Sequence, residues 1–196
     1  MFKKIFIFVS ILFAATSLYA EDLAGFNKLL DDHNMRFIMP KDFSPVPVVE
    51  NEDVIYQYAI KSKKVKLELR YSIFSLKEHI REYEEFKKKK NGVMIDPNSP
   101  PAYYAMTIAV VMNIAGTEKY NETKLAPEAV KTEFNADWGA SYIVECKSGY
   151  SKGYKYATIL ALHRDNEADV YMVFLFDDLK TVMAEMLASF YSIKFK

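Results

Sequence analysis

Phe134-Asn-Ala-Asp-Trp-Gly139 is the segment whose residue types come nearest to a binding site. It holds the only tryptophan of the chain. Asn135 and Asp137 can hydrogen-bond a ligand while Trp138 stacks on it beside Phe134. A structural turn competes with this reading and is the simpler of the two: Asn and Asp bond their own backbone, Trp138 packs, and Gly139 relaxes the bend. Asp137 with His163 is the pair on which a hydrolytic site would be built, provided the two side chains meet in a concave pocket.

The other reactive residue types stand alone. His33, His79 and His163 have no second His or Cys at metal spacing, so no metal is expected. Cys146 is the single cysteine. It falls on the strand face of Tyr142 and Val144, with no helix start or cation to activate it, and reads as an inert buried thiol. There is no Gly-x-Ser-x-Gly elbow, phosphate-binding loop or dinucleotide fingerprint, and no cofactor is expected.

The elements that must position these residues centre on the stretch Gly139–Phe176. Gly139–Lys147, Tyr154–His163 and Ala168–Phe176 read as three antiparallel strands between polar turns. Tyr156, Thr158, Leu160 and Leu162 oppose Ala157, Ile159 and Ala161, while Val170, Met172, Phe174 and Phe176 oppose Tyr171, Val173 and Leu175. Both faces are apolar, so both must be covered. This predicts an α+β fold, an antiparallel sheet between helical layers.

Before the central strands, Asp22 can cap a helix through Asp31, and Met35–Met39 reads as a strand. The stretch 41–53 reads as a loop. Val54–Ile60 and Val65–Phe74 form a hairpin. Val65, Leu67, Leu69, Tyr71 and Ile73 alternate with Lys66, Glu68 and Arg70, which predicts a wet face and a place toward the sheet edge. Ser75-Leu-Lys-Glu78 fits a capping box for a helix ending in Lys87–Lys90, whose charges suit the helix dipole. That lysine run reads as a solvated helix end rather than a polyanion site.

Ala102–Ala115 carries no charge, can be capped at Ser99 before two prolines, and can end at Gly116. It reads as a covering helix. Tyr103, Thr107 and Val111 share its least apolar stripe, so this side is expected to be accessible, with Tyr103 and Val111 as candidate ligand contacts. Beyond it, 117–134 is polar, with a short helix from Pro127. Asp178 can cap a last helix, and the chain finishes on a strand through Ile193 and Phe195.

Lys3-Lys4, the apolar run Ile5–Ala15 and Thr16–Ala20 read as a bacterial-type signal peptide cut after Ala20, which predicts a periplasmic or secreted protein. No cysteine stands near the cut to carry a lipid, and the apolar run is too short to span a membrane. The remainder of the 196 residues suits one domain, 21–196. The whole chain has 26 Lys+Arg and 26 Asp+Glu, so losing Lys3 and Lys4 leaves it slightly acidic, with no general attraction for nucleic acid.

The order of hairpin, helix, insertion, three strands and terminal helix resembles the fold of PsbP, the photosystem II extrinsic subunit, and of the yeast Ran-release factor. Two local features add to it: Phe37-Ile-Met-Pro40 followed by Phe43, and the apolar helix ending in Ser189-Phe190. The resemblance covers about residues 34–195. It implies a sheet between helices and a binding or assembly role, and it assigns no functional residue. The expected function is an exported, non-enzymatic protein that binds an envelope protein or a small apolar ligand. A hydrolase and a purely structural envelope protein are the alternatives.

Overall fold

The computed structural model describes residues 23–89 and 92–196. The expected leader, the Asp22 cap and the Lys90–Asn91 junction lie outside them.

Seven strands form one antiparallel sheet in the order β2-β3-β4-β8-β7-β6-β5. They are β2 (Phe43–Pro45), β3 (Tyr58–Ser62), β4 (Leu67–Ser75), β5 (Asn121–Lys124), β6 (Trp138–Glu145), β7 (Tyr156–Arg164) and β8 (Ala168–Phe176). The strand expected at Ala168–Phe176 is β8, at the centre and buried along its whole length. A separate ribbon pairs β1 (Met35–Phe37) with β9 (Ile193–Phe195), joining segments far apart in the chain. The β-branched and aromatic side chains of β7 and β8 suit a pleated surface packed on both sides.

The two faces have separate cores. On one, α1 (residues 23–32) and α6 (Leu179–Ser189) bring Phe26, Leu30, Val182 and Met186 onto Leu69, Tyr71, Met172 and Phe174. The β1–β9 ribbon and a π-helical turn at Val130–Phe134, which continues α4 (Pro127–Ala129), close that side. On the other, α3 (Pro100–Ala115) and α5 (Ser148–Ser151) place Val110, Val111, Ile114 and Tyr150 over Tyr142, Ile159, Tyr171 and Val173. The chain is an α+β fold with helices on both faces of an antiparallel sheet.

Local signals set several boundaries. Gly116 takes a left-handed φ of 67° and its N–H donates to the Met112 carbonyl, ending α3 where the glycine allows it. Asp178 caps α6 by accepting from the Lys180 N–H at 3.0 Å. In α2 (Lys77–Lys89) the Ser75 hydroxyl is 3.4 Å from the Lys77 N–H, whereas Glu78 pairs with Arg81 instead of returning to the cap. Farther along the helix Lys87 pairs with Glu84.

Three expectations fail for physical reasons. β4 is not near an edge; it lies beside β8. Its polar face is not wet either, because Arg70 is only 3% exposed and Ser72 is buried. The loop bearing Tyr56 and the short helix bearing Tyr150 fold over Arg70, each ring within 5 Å of the guanidinium: 4.9 Å and 4.7 Å. The two edge strands, β2 in the predicted loop and β5 in the polar 117–134 stretch, carry almost no alternation to read. Edge strands commonly hold proline or charge, which discourages further pairing. Finally, the Tyr103–Thr107–Val111 stripe turns inward: Val111 is 0% and Thr107 2% exposed. The Thr107 hydroxyl donates to the Tyr103 carbonyl at 2.8 Å, satisfying within the helix the polar group that pointed toward solvent.

Candidate functional site

Trp138 opens β6, and its register partner on β7 is His163. Directly opposed residues of an antiparallel pair lie on one face of the sheet, so indole and imidazole stand side by side. The first turn of α3 descends on them. Tyr103 is tilted over both rings, with centroids 5.1 Å from Trp138 and 4.2 Å from His163. Tyr104 meets the indole nearly at a right angle, 83°, with centroids 6.4 Å apart. Pro100 and Pro101 start the helix just above, where missing N–H groups cost nothing.

These rings, the two prolines and Lys124 at the end of β5 enclose an open cleft of about 350 Å³. That lies within the roughly 300–1,000 Å³ of small-molecule sites. Its walls are apolar apart from the phenols and the ammonium. Larger hollows of about 450 and 470 Å³ lie farther down β6, but charged side chains such as Glu118, Lys119, Glu145 and Lys155 line them. Tyr104 is 37% exposed, so part of the aromatic surface meets solvent.

A polar frame holds the cleft from behind. The Tyr104 hydroxyl donates to Glu122 Oε2 at 2.9 Å and the Tyr142 hydroxyl to Glu122 Oε1 at 3.3 Å. The bond to Glu122, then burial, raise the Tyr104 phenol; burial, then Asp165 and Asp169, raise Tyr103. Both phenols therefore stay neutral at physiological pH. His163 is clamped between Asp169 Oδ1 at 2.6 Å on Nδ1 and Asp165 Oδ1 at 3.0 Å on Nε2. Burial pushes the Asp169 carboxyl up, against the pull of His163.

The structure divides the Phe134–Gly139 segment. Only Trp138 reaches the cleft. Phe134 turns to the opposite core, stacked on Tyr191 with centroids 5.4 Å apart. Asn135 takes a left-handed φ of 51° and its amide donates to the Lys196 carbonyl at 2.7 Å. Asp137 accepts from Lys131 Nζ at 3.0 Å and from the Asp165 N–H at 3.0 Å. Gly139 is needed for space: a Cβ there would stand 3.1 Å from both Val130 and Leu162.

Asp137 and His163 are linked through the main chain, the Asp137 N–H donating to the His163 carbonyl at 2.8 Å, and no side-chain bond joins them. Both ring nitrogens face other carboxylates, Asp169 and Asp165, so the imidazole is not aimed at Asp137. Of the candidates read from sequence, Tyr103 and Trp138 come together, and Val111 lies in the core behind them. Tyr104, Pro100, Pro101 and Lys124 were not foreseen. The signal for the first three was a Pro-Pro helix start with paired tyrosines two and three residues beyond Pro101.

Cys146 is half-buried, and burial pushes its thiol up to about 12. Among the described residues no cluster of metal-ligating side chains occurs, and no helix is long and apolar enough to cross a membrane.

No protein-family model matches the chain, and no curated protein matches it. Among solved structures it is similar to the solution structure of cyanobacterial PsbP (CyanoP) from Synechocystis sp. PCC 6803. The TM-score is 0.40 at 10% sequence identity, over 84% of this chain and 88% of that one.

Proposed function

We propose that this is an exported, non-enzymatic binding protein whose ligand or partner seats an apolar group in the cleft of Tyr103, Tyr104 and Trp138. The observation that carries the reading is the convergence of three aromatic rings and two prolines around an open, apolar cleft of about 350 Å³. Flat rings bury much area while losing little side-chain freedom, which favours them at binding surfaces. Export to the periplasm or beyond rests on the N-terminal Lys-Lys, apolar run and Ala20 pattern.

The test uses mature protein and a neutral hydrophobic dye such as Nile red. Binding should shift dye emission and quench Trp138. Tyr104→Ala should weaken both while leaving the melting temperature nearly unchanged, because this side chain is partly exposed. An unchanged dye spectrum in the wild type, with no envelope component retained on immobilised protein, would remove the support for this reading.

A further inference from the structure

Lys124 is the only charged side chain that lines the aromatic cleft. It makes no hydrogen bond or ion pair through its ammonium among the described residues. The nearest candidate on its own strand, Glu122, spends one oxygen on Tyr104 and the other on Tyr142. Asp165 and Asp169, behind Tyr103, are committed to His163. The cleft thus offers ring faces, neutral phenols and one ammonium without an ion-pair partner, while the Glu122 carboxylate stays behind Tyr104 and outside the lining.

Charge then decides among ring-bearing ligands. An ammonium ligand would gain from the ring faces but meet Lys124 as a like charge. A neutral ring would use the walls and leave the ammonium unpaired. From this geometry we infer that the ligand is a planar apolar ring bearing an acidic group, the ring against Trp138 and Tyr104 and the acid on Lys124 Nζ. The inference rests on the binding reading above and names the ligand class for the same cleft. The acid has two possible sources: a small free aromatic acid, or the terminal carboxylate of a polypeptide ending in an aromatic residue.

Isothermal titration with naphthoate, naphthamide and naphthylmethylammonium tests it on the mature chain at low salt. Naphthoate should bind about fivefold more tightly than naphthamide, the scale of one exposed ion pair, and the ammonium most weakly. The preference should shrink as salt rises. Lys124→Met should bring naphthoate down to the affinity of naphthamide, without change in melting temperature, because Lys124 is exposed. Equal binding of acid and amide, a stronger ammonium, or a preference that survives Lys124→Met would overturn the acid assignment and leave the aromatic cleft standing. If none of the three binds, the cleft itself fails as a site. A tripeptide ending in phenylalanine, compared with its terminal amide, separates the sources. Acid over amide by a similar factor, and tighter than naphthoate, assigns the polypeptide terminus; naphthoate tighter than the peptide acid assigns the small acid.

Discussion

Tyr103 lies ring on ring over His163, centroids 4.2 Å apart, and the imidazole beneath it is held by Asp169 at 2.6 Å. The first turn of α3 therefore rests on a buried ionisable pair. Removing Asp169 leaves the buried imidazole only the exposed Asp165 as partner, and a poorly compensated buried group costs far more than the pair itself contributes. Asp169→Ala should lower stability by about 3 kcal/mol and loosen the Tyr103–Trp138 contact. Denaturant unfolding followed by Trp138 emission reads both; a variant with unchanged midpoint and spectrum would refute the pinning role.

Arg70 is buried between the Tyr56 and Tyr150 rings. Its Nε donates to Glu68 and its Nη1 to the Tyr150 carbonyl, both at 2.8 Å. Arg70→Met should cost about 2–4 kcal/mol, since Glu68 and that carbonyl lose their donor. Arg70→Lys should recover little of this, because an ammonium cannot bond both acceptors while lying flat between two rings. Lysine stability close to wild type would show that charge alone is needed.

Val111 and Ala109 are two positions apart on α3, one buried and one exposed. Val111→Asp should cost on the order of 3–5 kcal/mol or prevent folding, because it strands a charge in the core between α3 and the sheet. Ala109→Asp should stay within about 0.5 kcal/mol of wild type. Soluble, cooperatively folding Val111→Asp protein would mean that this face of α3 is not core.

His33 is buried, and its imidazole is held below the ordinary 6.5 by burial first and by the Lys77 ammonium second, against Glu167 and Asp32. The unfolded chain therefore takes up this proton more readily than the folded one. Its contribution to stability is complete above pH 6.5 and is lost as pH falls through the folded value. Urea midpoints between about pH 7.5 and pH 5 should fall more steeply for wild type than for His33→Gln. Parallel curves would assign the acid slope to other groups.

Cys146 should be slow to react with a thiol reagent at pH 8, since burial raises its thiol to about 12 and only a minute fraction is thiolate. Unfolding in urea should restore ordinary reactivity. Rapid labelling of the native protein would contradict the burial.

The sequence by itself determined the frame. Period-two alternation on both faces of 156–162 and 170–176 required a sheet with two covers, and Gly116 and Asp178 marked helix ends through backbone chemistry that is local. Such signals survive in one dimension because they depend on neighbours in the chain. What tertiary structure decided depends on partners far along it. Arg70 reads as a solvent residue until Tyr150, eighty positions on, closes over it. β2 and β5 carry no pattern because an edge strand is defined by the strand it joins, here β3 and β6. The rotation of α3 was misread because polarity chose Tyr103 and Thr107 as the outer stripe. Thr107 can satisfy its hydroxyl on its own helix, and Tyr103 gains more by covering His163 and Trp138 than by facing water. An uncharged helix has no strong preference of its own for which side to show, so the sheet beneath it made the choice and thereby built the cleft.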